Sequence, residues 1–185
     1  MPDEVYDRFL KGFQPPALFE GWDEIWVRTS GEFQPFDMLQ TVGYDQKNPH
    51  HQETLYEHLD AAYQYVVRKD PENYRLRMAA LHHDIGKVYT QTPYNAHGLD
   101  DGSMHYYGHE NYGSYLYLTH MAALGRTDWE NILYEAVLIS LHMRPLTAWK
   151  NAPVRKERDA MLFGKMLFQD LCLLMEADKA ASVAG

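Results

Sequence analysis

All ten histidines of this 185-residue chain lie between positions 50 and 142. Neutral imidazoles and carboxylates are nitrogen and oxygen ligands for divalent Mn, Fe, Co, Ni and Zn. A bound cation also offsets the several kcal/mol that each such group loses when it is buried unpaired. Histidines and acids on apolar helix faces are therefore the first candidates for chemistry.

Five ionisable side chains fall on the apolar faces of predicted helices. They are His58, His83, Asp84, His142 and Asp178. A single histidine on such a face is more often a core residue than a ligand. Several of them on different helices favour a metal site in the core of a helical bundle.

The elements that position these residues are predicted to be helices, because apolar residues recur at the 3.6 period. Their expected bounds are about 54–69, 71–85, 110–123, 128–143 and 157–182, the last with a break near Phe168. Gly86 is expected to end the second helix in the left-handed conformation. Between the second and third helices we expect a long loop with a small hairpin, in which 88–92 pairs with 104–107 around a turn at 99–103.

The first 45 residues are rich in proline and aromatic side chains, with at most two short amphipathic helices near 4–10 and 17–26. We expect residues 1–45 to form an arm that packs on the main body. Residues 46–185 are expected to form a single all-α domain of bundle type, since a chain of this length is typical of one domain.

Charge and composition argue against several classes of function. The 17 Lys+Arg against 26 Asp+Glu give a net charge of −9, which opposes broad binding to a nucleic-acid backbone. We expect no membrane partner, because no apolar stretch approaches the roughly 20 residues of a span and the acidic start differs from a secretory signal. The single cysteine fits a reducing compartment, so we expect a cytoplasmic protein. The aromatic side chains of the first 45 residues suit a dimer interface as well as the core, so a homodimer stays open as an alternative to a monomer.

The order of these residues resembles the HD phosphohydrolase superfamily, whose pattern H…HD…D is matched by His58, His83-Asp84 and Asp178. Longer runs are similar to the HD domain of bacterial tRNA nucleotidyltransferases and poly(A) polymerases. These runs are VGYDQKNPHH at 42–51, HHDIGK at 82–87 and YYGHE at 106–110. No nucleotidyltransferase head precedes the motifs in this sequence, so we do not expect nucleotide polymerisation.

The resemblance implies a divalent metal, one of Mn, Co, Ni, Zn or Fe, as cofactor. The implied ligands are His58, His83, Asp84 and Asp178. It leaves two roles open for His109 and His142: they hold a second metal bridged by Asp84, or they bind phosphate and donate a proton to the leaving group. Asp178 is also expected to orient or deprotonate the attacking water.

Lys87 either neutralises a phosphate, as a catalytic residue would, or is an exposed lysine favoured by the end of a helix. Substrate contacts are predicted for Gln46, His50, His51, His109, His142 and Arg144. Arg144 is the first residue of a basic stretch whose other members are expected to be exposed to solvent. Its planar guanidinium can bind two oxygens of a phosphate group. Glu57 and Glu110 are sequence neighbours of ligand-type histidines and are candidates to orient the rings.

The expected activity is metal-dependent hydrolysis of a nucleotide-type phosphoester, either a 2′,3′-cyclic phosphodiester or a nucleoside monophosphate, with a small nucleotide or an RNA end as partner. Two other functions stay open. One is a (d)NTP triphosphohydrolase, and the other is a non-catalytic HD module that keeps a metal for stability while it binds RNA ends or a nucleotide.

Overall fold

The computed structural model describes residues 3–21, 25, 35–47 and 53–183, and within these it is mostly helical. The helices are α1 Asp3–Lys11, α2 Leu55–Lys69, α3 Tyr74–His82, α4 Lys87–Thr90, α5 His109–Ala123, α6 Trp129–Leu141 and α7 Pro153–Val183. The expectation of an all-α chain is therefore confirmed at the level of class. Among the described residues, no helix is both long and apolar enough to cross a membrane.

The core lies between α2, α3, α5, α6 and α7. α2 packs against α3 and α7, while α6 packs against α3 and α5. The inward face of α2 is fully buried and consists of Leu55, Leu59, Ala62 and Val66. Burying a leucine side chain contributes about 1.5–3 kcal/mol, so this stripe fixes the rotation of α2 and turns His58 inward with it.

Three helix ends differ from the sequence expectation, and one of them is the start of α3, which lies at Tyr74 and not at 71. α3 stops at His82, and the chain then forms a turn and the short helix α4, where continued helix to 85 and then strand were predicted. α7 begins four residues early, at Pro153, and it breaks at Gly164 and not near Phe168. Gly164 has φ of 75°, a conformation that only glycine adopts freely, so the break falls on it.

The hairpin exists, but its strands are shifted. β1 is Thr92–Tyr94 and β2 is Asp100–His105, antiparallel, with Thr92 opposite His105. The turn is formed before residue 99, because the Gly98 N–H donates to the Asn95 carbonyl while Gly98 takes φ of 77°. The predicted turn at 99–103 is therefore wrong, since part of that segment belongs to β2.

The described part of the arm packs on the helices. The Phe13 ring meets Tyr115 of α5 edge-on at 5.4 Å, and Phe19 contacts Phe163 of α7 at 4.9 Å between ring centroids. A second arm helix was predicted at 17–26, and the described residues of that range form a single 3₁₀ turn at Leu18–Glu20.

Candidate metal centre

Buried imidazoles and carboxylates from five parts of the chain converge at one end of the bundle. In the described ranges they form two groups, and within each group the ligand atoms lie within 4.8 Å of one another. The first group is His58, His83, Asp84 and Asp178, and the second is Asp84, His109 and His142. These are the residues that the sequence singled out, and they can hold a metal ion.

Each side chain is held by a different element. His58 lies in the first turns of α2, which begins with a capping box between Thr54 and Glu57. His83 caps the end of α3, and His142 caps the end of α6. The other residues lie at the turn after α3, at the start of α5 and near the end of α7, so the groups form only when the whole bundle is assembled.

Backbone contacts fix the tautomers of three rings. The Nδ1 atoms of His83, His109 and His142 each lie 2.6–2.8 Å from the carbonyl oxygen of the residue three positions earlier. A carbonyl only accepts, so each Nδ1 carries the proton. In the neutral ring, Nε2 therefore presents a lone pair, which is the form that binds a metal.

The Nε2 atoms face one another in pairs. His58 and His83 are separated by 3.2 Å between these atoms, and so are His109 and His142. In the neutral rings of His109 and His142, whose protons lie on Nδ1, two lone pairs at this distance repel unless a cation lies beside both. Neighbouring nitrogen ligands on one metal lie about 2.9–3.4 Å apart, given metal–nitrogen distances of about 2.0–2.1 Å. The separations therefore fit a metal-binding centre.

Asp84 is shared by the two groups. Its Oδ2 lies 3.4 Å from Nε2 of both His58 and His83, whereas its Oδ1 lies 3.1 Å from Nε2 of His109 and 3.4 Å from that of His142. Burial by itself raises the pKa of Asp84, but nearby Lys87 and His83 outweigh burial and hold that pKa well below its usual value. An ionised carboxylate that faces both groups is suited to bridging two cations.

Asp178 is the most exposed member, with its side chain 15% accessible. Its Oδ1 lies 3.2 Å from Nε2 of His58 and 3.7 Å from that of His83. Burial raises the pKa of Asp178, but the facing imidazoles of His58 and His83 outweigh burial, and the pKa lies far below the ordinary value. Solvent and ligands therefore meet the centre next to an ionised carboxylate.

Lys87 is buried beside the centre, unlike the exposed lysine that one interpretation predicted. Its Nζ lies 2.6 Å from Oδ2 of Asp84 and donates to Oε1 of Gln46 at 2.8 Å. The Gln46 backbone oxygen accepts a hydrogen bond from the Tyr106 hydroxyl. The structure thus brings two of the predicted substrate and catalytic residues, Gln46 and Lys87, to the edge of the first group.

Gly86 explains how the second group is assembled. Its φ of −64° is right-handed, so the predicted left-handed helix end is wrong. A Cβ at this position would lie 2.1 Å from the His109 carbonyl oxygen and 2.7 Å from the Gly113 nitrogen. Glycine is needed because the turn that carries Asp84 touches the first turn of α5, which carries His109.

Arg144 and Glu57 have other partners in the structure. The Arg144 guanidinium makes a two-pronged ion pair with buried Asp159, which also accepts from the Trp149 indole. His50 and His51 lie outside the described residues. Glu57 caps α2, and its carboxylate contacts Thr54.

Glu53 is a contact of the centre that the sequence reasoning missed. Its Oε1 lies 3.3 Å from Nδ1 of His58. No helical spacing relates the two residues, because Glu53 precedes α2. Only the general need of ligand histidines for a partner at the second ring nitrogen would have directed attention to this acid.

Comparisons of the chain with models of protein families, with curated proteins and with solved structures give no match. They identify no family, so the similarity to HD domains stays a prediction. What the structure itself establishes is a buried set of imidazoles and carboxylates that can hold a metal ion.

Proposed function

We propose that the protein is a metal-dependent phosphohydrolase that cleaves a nucleotide-type phosphoester, namely a 2′,3′-cyclic phosphodiester or a nucleoside monophosphate. The observation that carries this proposal is Asp84, whose two oxygens face different pairs of histidines. A carboxylate between two nitrogen-rich groups suits a pair of divalent ions, an arrangement used for hydrolysis of phosphoesters. Mn, Co, Ni, Zn and Fe are the proposed metals, because the donors are imidazoles and carboxylates.

A divalent metal in this centre would supply a Lewis acid for a phosphoryl oxygen and lower the pKa of a water. In this proposal Lys87, whose Nζ lies 2.6 Å from Oδ2 of Asp84, neutralises a phosphate oxygen beside the centre. The depressed pKa of Asp178 keeps this carboxylate ionised, which suits a ligand that orients water better than a base that must hold its proton.

The tautomers favour one of the two roles left open for His109 and His142. Both rings direct Nδ1 toward a backbone carbonyl. Their Nε2 atoms, which face Asp84, therefore carry no proton in the neutral rings. Holding a second metal fits this state better than donating a proton to a leaving group.

The test is a product-release assay on protein that has been stripped of metal and reloaded with each of the proposed ions. The substrates are 2′,3′-cyclic nucleotides, nucleoside monophosphates and (d)NTPs. We expect metal-dependent release of a monoester or of phosphate that Asp84→Asn abolishes. Asp60→Asn, two residues after His58 on α2 but outside both groups, is the matched control and should retain activity.

Each other outcome points to a different function. Release of triphosphate from (d)NTPs would identify a triphosphohydrolase. Tight metal binding without turnover of any substrate would favour a non-catalytic module that binds nucleotides or RNA ends. Turnover that is unchanged in Asp84→Asn would show that the proposed centre is not the active site.

A further inference from the structure

Glu53 contacts the centre from outside both donor groups. Its Oε1 lies 3.3 Å from Nδ1 of His58, while Nε2 of the same ring faces Asp84 and Asp178. We propose that Glu53 is a positioning residue, which orients His58 and selectively strengthens metal binding by the first group. This inference rests on the proposed metal centre and specifies how its two halves differ.

The position of His58 in its helix explains why an acid serves this ring. His83 and His142 cap the ends of α3 and α6, and the Nδ1 atoms of the two rings lie 2.8 and 2.7 Å from the carbonyl oxygens of Ala80 and Ile139. His58 lies inside α2, and the carbonyl of Thr54 already accepts the His58 backbone N–H at 3.0 Å. The segment before α2 supplies Glu53 in place of a carbonyl.

A carboxylate attracts a ring proton more strongly than a neutral carbonyl does. At 3.3 Å from Nδ1 of His58, the Glu53 carboxylate favours the tautomer with the proton on that nitrogen, which leaves Nε2 available and makes the imidazole a better electron donor to a cation. The Glu53 side chain is 10% accessible, so water screens its charge only in part. His58 belongs to the first group alone, so the effect should be confined to the metal bound there.

Glu110 provides a matched control beside the second group. Its Oε2 lies 3.6 Å from Nδ1 of His109, but that nitrogen is only 2.6 Å from the Tyr106 carbonyl. The carbonyl therefore already orients the His109 ring. Removing the Glu110 charge should leave both metals unaffected, although Glu110, like Glu53, lies next to a ligand histidine.

The experiment is a Co²⁺ titration of metal-free protein, followed by calorimetry and by the visible absorption of the bound ion. We expect Glu53→Gln to weaken the first site about 10- to 100-fold and to shift its absorption bands, with the second site unchanged. Glu53→Asp, which keeps the charge, should restore part of the affinity. Repeating the titration in a His142→Ala background, where only the first group is complete, assigns the affected site.

Several results would overturn the inference. An unchanged first-site affinity in Glu53→Gln, equal losses at both sites, or the same loss in Glu110→Gln would each do so. A purely structural role would lower the melting temperature of the metal-free protein and leave the Co²⁺ spectrum unchanged. Wild-type protein that binds no metal would overturn both this inference and the proposed function, whereas a selective loss without any turnover would overturn only the latter.

Discussion

At the scale of single residues, the side chains of His82 and His83 are adjacent in sequence but lie in different environments. The His83 side chain belongs to the candidate metal centre. The His82 ring packs instead against Tyr117 and His120, at 5.0 and 5.9 Å between ring centroids, and its Nδ1 lies 2.8 Å from the Met78 carbonyl. Burial lowers the pKa of His82 to about 4, so at neutral pH this ring is an uncharged part of the core.

His82 should make the stability depend on pH. Its pKa of about 4 in the fold lies below the value of 6.5 expected of a free histidine, so between these values only the unfolded chain takes up the proton. The stabilisation is full above pH 6.5 and is lost as pH falls toward 4. In urea unfolding of metal-free protein, His82→Gln should reduce the loss of unfolding free energy between pH 7 and 5 by about 2 kcal/mol.

His97, whose side chain is exposed in the turn of the hairpin, provides the control for this measurement. His97→Gln should keep the pH dependence of the wild type. The same pH dependence in His82→Gln and the wild type would mean that other groups dominate the acid response.

At the scale of elements, the contact between the turn after α3 and the start of α5 brings the second donor group together. Gly86→Ala should disturb it, because the added methyl group would lie 2.1 Å from the His109 carbonyl oxygen. We expect a loss of about 1–3 kcal/mol in the free energy of unfolding, together with weaker binding of a second metal. Denaturant unfolding and metal titration measure the two effects.

Gly12→Ala is the comparison for this substitution, since the nearest atom to a Cβ at Gly12 lies 3.5 Å away. It should change neither property by much. If the second site of Gly86→Ala kept its affinity for metal, the surrounding backbone would have accommodated the methyl group without displacing the His109 ring.

The elements also show what the sequence can and cannot predict. The apolar period located α2, α5 and α6 to within about two residues, because each helix buries one face along its length. The ends of α3 and the position of the hairpin depend on contacts with distant segments, such as Gly86 against α5, which no local pattern contains. The apolar stripes likewise predicted His58, His83 and His142. His109 was indicated only by the resemblance to HD domains, and Glu53, in the segment before α2, was not predicted.

At the scale of the whole molecule, the candidate centre joins parts of the chain that are far apart in sequence, from His58 on α2 to Asp178 on α7. The unfolded chain cannot hold these ligands together, so a metal held at this centre would bind the folded protein in preference. Its binding energy would then stabilise the entire bundle, and the stabilisation would grow with the concentration of free metal.

Metal should consequently raise the melting temperature. At a free concentration of about 100 times the dissociation constant, the gain is about 2.7 kcal/mol, which corresponds to about 5–10 °C for a chain of this size. Differential scanning calorimetry with Mn²⁺ or Co²⁺, and again after addition of a chelator, measures this rise and its reversal. Asp84→Asn, which replaces the carboxylate shared by both groups with a neutral amide, should lose most of this rise. An equal rise in that variant would place the bound metal elsewhere on the protein, because Asp84 belongs to both donor groups and its loss weakens each of them.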